Sequence, residues 1–470
     1  MSIRITLCFL FVLGFSYYAW RNWFVSLCGA IALMAVIMHP DMPRNMSGIQ
    51  GLNPWNFLIL NVTLACLRQR QQEGLRWDMP QGITLLFLLY FLIIITAALR
   101  LLADDGRYND LFNTGYVISE HIVNCLKWVI PGILLFYGCQ TRRRVYVAMT
   151  VILAVYLLLA LQVIRWVPLS AATDGGGINK AARVIQNEIG YNRVTLSMML
   201  GGASWAILCC MVLFQDRRHQ LGVLAAAVLV MFGQALTGGR MGYLSWIAVG
   251  LILSLFRWRK LLLFIPVVLT LVVILLPGVR ERMLMGLGQK QGSIIVQGDE
   301  DEMTSGRTIA WPLVIKEIQK NPITGYGRQA MTITGIQNEL AEDFDEPFPH
   351  PHNAYLEQLL DNGVIGFLLV ISFYLAILGR AFPLLLDRSD PLCTAIGATV
   401  CALVLALLVG AMGGQTFYPR EGSVCMWAAI GLMLRVSVER TRARATGQPL
   451  FGESEDGATI DLPEDSTQPA

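Results

Sequence analysis

Charged residues are scarce in this chain. Lys, Arg, Asp and Glu together make up 15% of its 470 residues, whereas a soluble domain carries about 25%. Hydrophobic residues make up 55%, and the mean hydropathy is +0.54. This composition excludes a soluble enzyme, a disordered chain and a collagen-like chain.

A disulfide framework is also missing. The ten cysteines all lie in or at the edge of apolar runs, and none lies in the long polar stretch at 278–362. Disulfide scaffolds place their cysteines in polar, loop-rich segments. We therefore interpret the thiols as small buried hydrophobic groups.

What the sequence does contain is thirteen apolar runs. A helix that crosses a membrane needs about 20 apolar residues, and most of the runs approach this length. The sequence predicts an all-α polytopic membrane protein with about 12–13 transmembrane helices. The runs lie at 5–20, 23–38, 54–67, 82–102, 117–138, 145–166, 194–214, 220–237, 241–256, 261–277, 363–384, 392–412 and 422–436.

The positive charges indicate the orientation of these helices. Half of the Lys and Arg residues, 18 of 36, lie in alternate short loops and in the segment 435–444. The positive-inside rule places these loops in the cytoplasm and the intervening ones outside. The sequence thus predicts an N-terminal bundle at 1–277, a large outer loop at 278–362, further transmembrane helices at 363–436, and a disordered cytoplasmic tail at 437–470.

The large outer loop has helical content of its own. Trp311, Val314, Ile315 and Ile318 recur at the spacing of one helix face, and Thr304 or Ser305 can cap the N-terminus. The pattern predicts an amphipathic helix from about Arg307 to Lys320, ended by the Asn-Pro at 321–322. Such a helix beside the bilayer can cover a substrate that is carried on a lipid.

Three arginines stand in the outward stretches, where the positive-inside rule does not require them. They are Arg193 after Asn192, Arg240 in T-G-G-R at 237–240, and Arg307 in S-G-R at 305–307. One interpretation is that they reach lipid headgroups. The alternative is an anionic ligand, because a guanidinium binds phosphate oxygens in a bidentate manner, while Gly239 and Gly306 allow backbone N–H groups to approach the same anion.

Histidine is rare, with five residues in the chain, and two of them lie in the motif P-H-P-H-N-A-Y-L-E at 349–357. A neutral imidazole at His352 or His350 can accept a proton from a hydroxyl near pH 7. Asn353 could orient the ring or hold a sugar hydroxyl, with Tyr355 in support. A carboxylate of Asp343, Asp345 or Glu357 is the alternative base, provided that burial raises its pKa.

Two further hypotheses concern acidic residues and an intramembrane lysine. The D-x-D strings at 299–301 and 343–345 resemble sites for a divalent ion, but the surrounding glutamates favour a solvated acidic loop. We predict no metal site, and the pair His350 and His352 has no evident third ligand. Lys127, near Glu120 and His121 in an apolar run, is either functional or paired with a neighbouring helix.

Together these motifs resemble the O-antigen ligase and O-antigen polymerase superfamily, the Wzy-C type of membrane glycosyltransferase. The similar segments are T-G-G-R-M-G at 237–242, S-G-R followed by Trp311 and N-P-I-T-G-Y-G at 321–327, and H-N-A-Y-L-E with Gly363 and Gly366. The layout, with one large outer loop before the last helices, is also similar and implies a GT-C-like fold.

The resemblance implies a reaction. Enzymes of this type transfer a glycan from a polyprenyl (undecaprenyl) pyrophosphate to an acceptor hydroxyl with inversion, at the periplasmic face of the bacterial inner membrane, without a cofactor or metal. Arg240 and Arg307, with Arg193, would bind the pyrophosphate, and His352 would be the general base.

Several alternatives remain open at this point. Lipid A core, a growing polysaccharide and a protein are the three alternative acceptors. The predicted partners also include membrane lipids but no nucleic acid. A different class, a flippase or other transporter of lipid-linked sugars, would use the same arginines without a base. A transporter should hold its site near the membrane midplane, whereas His352 belongs to the outer loop.

Overall fold

A computed structural model describes residues 3–44, 46, 51–103, 113–173, 175–284, 307–344 and 350–452. Over these residues the secondary structure is helical, apart from turns and one isolated bridge at Met46. The prediction of an all-α polytopic membrane protein is therefore confirmed. The principal helices are α1 Ile3–Ala19, α2 Trp23–Ala32, α3 Pro54–Gln69, α4 Gln81–Ala103, α5 Thr114–Gly138, α6 Arg142–Trp166, α7 Gly175–Glu188, α8 Arg193–Cys209, α9 Arg217–Leu236, α10 Arg240–Phe256, α11 Leu261–Leu275, α12 Pro277–Leu284, α13 Arg307–Lys320, α14 Ala330–Ile333, α15 Ile336–Phe344, α16 Ala354–Leu385, α17 Pro391–Gly410 and α18 Val424–Thr446.

Each of the thirteen apolar runs lies in or overlaps a helix. Within the described residues eight helices are long and apolar enough to cross a membrane, and the count is nine if α11 and the start of α12, which are bent by 113° to each other, are taken as one span. Three apolar helices are shorter, namely α1, α2 with its 3-10 extension, and α10. The predicted number of 12–13 is reached only when these short helices are included.

The helices begin where the sequence supplies a capping side chain. Asn192 caps α8, Asp216 caps α9 and Asp390 caps α17, each by accepting a hydrogen bond from a backbone N–H in the first turn. A helix leaves its first four N–H groups without partners inside the helix, and such caps satisfy some of them. Within the described core, the spans of α17 and α18 are the most enclosed, 89% and 83% buried, and that of α8 follows at 78%.

Residues of the arginine-rich loops meet one another at one end of the bundle. Arg142 binds Asp390 with two hydrogen bonds of 2.9 and 3.0 Å. Arg435, 1% exposed, binds Asp78 with two of 2.9 and 2.7 Å. Acidic residues of the same loops thus neutralise these cations, and the opposite end carries the segments that we predicted to face outward.

The amphipathic helix of the large loop is confirmed, because α13 runs from Arg307 to Lys320. Its buried face differs in part from the prediction. Ala310 and Val314 are fully buried, but Ile315 is 44% exposed. The small side chain of Ala310 allows the helix to pack closely against its neighbours. The prediction of the buried face was based on the spacing of large apolar residues and therefore did not include this alanine.

Helix α16 differs most from the expectation. It begins at Ala354, not at residue 363, and it breaks at Gly363, which has φ 62° and ψ −169°. The turn at 322–327 lies against this break. Tyr326 N donates to Leu360 O (2.9 Å), Gly327 N to Asp361 O (2.7 Å) and Val364 N to Pro322 O (2.8 Å).

Two glycines make this contact possible. A Cβ on Gly363 would lie 2.3 Å from the carbonyl of Ile323, and a Cβ on Gly325 would lie 2.6 Å from the backbone of Asp361. Both glycines also have positive φ, which other residues rarely adopt. The loop thereby satisfies backbone groups that the broken helix leaves unpaired.

Candidate functional site

Three helices begin with an arginine at the end of the bundle that holds the large loop. Arg193 and Arg240 are the first residues of α8 and α10, and Arg307 is the first described residue of α13. The N-terminus of a helix carries a partial positive charge, so cations are stable at the opposite end. Three arginines at three helix starts add positive charge to positive dipoles, and this arrangement favours an anionic ligand.

The predicted arginines are brought together. Arg193 and Arg240 repel each other electrostatically. Burial and the charge of Arg240 lower the pKa of Arg307. Among the described residues, no carboxylate forms an ion pair with any of the three. The Nε of Arg307 is buried, and no described group accepts a hydrogen bond from it.

Gly239 has a steric role in this cluster. It precedes Arg240 as the residue before α10, and a Cβ there would lie 2.1 Å from Ser197 Oγ. A Cβ on Gly242 would meet the same side chain at 2.5 Å. The two glycines therefore allow α10 to start directly beside α8, which sets Arg240 close to Arg193.

A fourth arginine, Arg282, joins the cluster, and the sequence analysis did not find it. Its Nε donates to Gly238 O (3.2 Å), and its charge interacts with those of Arg193 and Arg240. In the sequence Arg282 stands among other charged residues of a polar stretch, in R-E-R at 280–282. Only the 113° bend between α11 and α12 turns it back onto the T-G-G-R segment.

The histidine loop lies next to this cluster. His352 has φ 49°, in the left-handed region that residues other than glycine rarely adopt. The backbone N–H of His352 donates to His350 Nδ1 (3.3 Å), and the two rings are 4.2 Å apart between centroids. Backbone strain of this kind is often found at functional sites.

Asn353 and Tyr355 both make contacts at the start of α16. The side-chain oxygen of Asn353 caps α16 by accepting from Tyr355 N (3.0 Å) and Leu356 N (3.3 Å). The Tyr355 hydroxyl donates to Leu408 O (2.7 Å). Both residues fix the start of α16 and thereby the position of His352, so their visible role is structural.

The electrostatics of the two histidines differ. Burial, together with the positive charges of His350 and Arg307, lowers the pKa of His352 to about 4. Burial also lowers the pKa of His350, but the carboxylate of Glu357 acts in the opposite direction. His352 is therefore neutral at pH 7, as a proton acceptor must be.

A buried ionic network supports the histidine loop from below. Arg328, 4% exposed, binds Glu357 (2.6 Å) and Asp361 (2.9 Å). Glu357 also accepts from Gln415 (2.8 Å). Because Glu357 is occupied in this way, it is poorly placed to act as the base that the sequence left open. The network was not visible in the sequence, since residues that bond directly to one another within it are separated by up to 58 residues.

A cavity of about 180 Å³ opens beside the histidines. Its polar lining includes Asn192, Gln415, Arg420 and Glu421, together with both histidines. Its apolar lining is formed by residues of α6, α8, α17 and α18. They include Tyr156, Met198, Met199, Leu403, Leu407 and Met426.

Lys127 interacts electrostatically with Glu120 on its own helix and with Glu421, which lines this cavity. Its Nζ lies 4.3 Å from the centroid of the Trp128 ring, a cation–π contact. The residues before it, Ile118–Val123, form a π-helical turn that contains the buried His121. Pairing with a neighbouring helix, one of the two interpretations of Lys127, agrees with its interaction with Glu421, which stands just before α18.

Some candidates fall outside the described residues. Gly306 and the caps Thr304 and Ser305 do, as do the D-x-D string at 299–301 and Asp345. Within the described part of the chain, no group of three or more His, Cys, Asp or Glu side chains could hold a metal ion.

Comparison with known families confirms the resemblance. Residues 224–371 match a family described as O-antigen ligase, Wzy-C. The matched segment contains Arg240, Arg282, Arg307 and both histidines of the loop, whereas Arg193 and the part of the cavity formed by α17 and α18 lie outside it. No curated protein matches the chain.

Proposed function

From the match of residues 224–371 to the O-antigen ligase family, we propose that this protein transfers a glycan from a polyprenyl pyrophosphate to an acceptor hydroxyl. The family match supports an O-antigen ligase-like membrane enzyme in general. The finer statement, with its donor, its inverting course and its periplasmic site, is our proposal.

The observation that carries the proposal is the position of His352 beside Arg307, which belongs to the same cluster as the other three arginines. A pyrophosphate needs cations that remain charged, and guanidinium groups do so. The acceptor hydroxyl needs a base, which the arginines cannot supply. The structure places Arg307 close enough to His352 for its charge to lower the pKa of the imidazole.

The proposed reaction is a single displacement. The acceptor oxygen forms a bond to the anomeric carbon, while the bond from that carbon to the pyrophosphate oxygen breaks. The electron pair leaves with the pyrophosphate, whose growing charge Arg240 and Arg307 stabilise, and the hydroxyl proton passes to His352. Attack opposite the leaving group inverts the anomeric centre.

The cavity described above suits the acceptor. Both histidines line it, and its polar lining carries both donors and acceptors of hydrogen bonds, as hydroxyl groups require. The arginine cluster would then hold the donor, with His352 between the two substrates. Lipid A core, a growing polysaccharide and a protein are all acceptors compatible with this lining.

Reconstitution tests the proposed activity. The purified protein in liposomes should transfer glycan from a defined polyprenyl-pyrophosphate donor to one of these acceptors, and EDTA should not reduce the rate. Loss of activity with EDTA would favour a metal site in the D-x-D strings. Movement of the donor across the bilayer without transfer would instead indicate a flippase.

The side of the membrane is tested by reporter fusions. We expect an outer-side signal from a fusion within 290–345 and cytoplasmic signals from fusions after Arg144 and after Arg444, because the arginine-rich loops mark the cytoplasmic end. A cytoplasmic signal from the fusion within 290–345 would contradict a periplasmic site.

A further inference from the structure

A second cavity lies at the other end of the bundle, far from the histidines along the helices. Helices α8 and α10 begin at Arg193 and Arg240 and end beside this cavity, at Cys209 and Phe256. It measures about 710 Å³, and four cationic residues line it, namely Arg257, Arg259, Lys260 and Arg388. No acidic residue lines it.

The acidic residues nearest in the chain are already occupied. Asp387 forms an ion pair with Arg440 and accepts from Ser389. Asp390 binds Arg142. In the described part of the chain, no carboxylate forms an ion pair with any of the four cavity cations.

Arg257 is the most enclosed of the four cations. Its terminal nitrogen donates to the backbone oxygen of Asp387 (3.2 Å). Its Nε is buried, and no described group accepts a hydrogen bond from it. A buried donor without an acceptor is costly, so a ligand with anionic oxygens would satisfy it.

The rest of the wall is apolar. The cavity is also lined by the apolar residues Leu208, Met211, Val212 and Leu261. Phe256, at the same wall, is 58% exposed, which in a membrane means that it faces lipid. The positive-inside rule accounts for cations in this loop, but it does not require an apolar cavity beneath them.

We propose that this cavity binds an anionic phospholipid, with the headgroup phosphate on the four cations and an acyl chain along the apolar wall. Basic pockets between helices at the cytoplasmic side are suited to such headgroups. The inference is independent of the glycosyltransferase function, because none of the residues at the histidine end takes part in it.

Native mass spectrometry of the delipidated full-length protein provides the test. Phosphatidylglycerol should be retained in preference to phosphatidylcholine of the same chain length. The variant R259Q/K260Q/R388Q should lose at least about tenfold in affinity for phosphatidylglycerol, since each basic residue near an anionic surface contributes roughly fivefold. These three side chains are exposed, so their replacement should leave the fold intact.

The variant R68Q/R217Q/R218Q is the matched control, because it removes three exposed arginines of the same predicted face that do not line the cavity. It should bind phosphatidylglycerol like the unchanged protein. Equal losses in both triple variants would overturn the proposal in favour of general surface attraction. Equal retention of the two lipids, or full displacement by inorganic phosphate, would also overturn it.

Discussion

Replacing His352 with alanine is expected to lower the rate of glycan transfer by about 10²–10⁴-fold, the usual contribution of a positioned base. The pyrophosphate is a good leaving group and needs no protonation, whereas the acceptor hydroxyl is a poor nucleophile until its proton is removed. Donor binding should survive, because it depends on the arginines. The measurement is single-turnover transfer in liposomes, together with donor affinity.

His219→Ala is the matched control, since His219 is an exposed histidine that pairs with Asp216 beside the start of α9. It should retain full activity. His350→Ala should have a smaller effect than His352→Ala, because His350 acts on His352 through its ring and its contact with the backbone of the loop. If His350→Ala abolished transfer and His352→Ala did not, His350 would be the base.

The same base sets the pH dependence. Imidazole accepts a proton only when it is neutral, so activity is present above the pKa of His352 and is lost as the pH falls through it. That pKa is about 4 without a donor, and a bound pyrophosphate raises it by offsetting the charge of Arg307. The acid limb of kcat should therefore lie at higher pH than that of kcat/KM measured by varying the donor. If the acid limbs of kcat and kcat/KM lay at the same pH, the proposed effect of the bound pyrophosphate on the pKa of His352 would be contradicted.

Arg240→Ala and Arg307→Ala should each reduce kcat/KM for the donor by about 10²-fold or more, as expected when a charged group that stabilises the leaving oxygen is removed. Lysine at either position should restore only part of the rate, because it offers a point charge and no planar fork. Arg193→Ala should have a smaller effect, since Arg282 still supplies positive charge on that side.

These arginine variants should not lose stability. Because the four cations repel one another, removing one relieves the folded protein of unfavourable charge, and the unfolding temperature should stay equal or rise. Arg217→Ala is the matched control, as Arg217 is also the first residue of a helix, but at the other end. Normal donor kinetics in both Arg240→Ala and Arg307→Ala would exclude the pyrophosphate role.

Much of the fold could be predicted from the sequence because membrane-spanning helices can be recognised from short stretches of sequence. Apolar runs, loop arginines and the period of α13 are all properties of neighbouring residues. The start of α16 was missed because residues 354–362 include buried polar side chains such as Glu357 and Asp361. Their partner, Arg328, lies outside the helix. A short stretch of sequence therefore shows unpaired charges at residues 354–362, although in the fold these charges form ion pairs.

Residues of the site could be predicted only where the functional side chain stands in a distinctive sequence motif. Arg240, Arg307 and His352 stand out in glycine-rich or histidine-containing segments, and the structure brings them together. Arg282 depends on a bend, and the role of Asn353 as a cap depends on where α16 begins. The cavity depends on α17 and α18, which carry no motif.

The broken helix α16 has a consequence for the order in which the protein is assembled. Its break is completed by residues 322–327, and its first residue donates to Ala411 O (2.7 Å), in the connection between α17 and α18. The histidine loop is therefore held by chain segments synthesised both before and after it. Contacts of such long range form late in folding. It follows that the histidine end matures only after the final helical hairpin has inserted, so a chain still emerging from the ribosome holds no finished site.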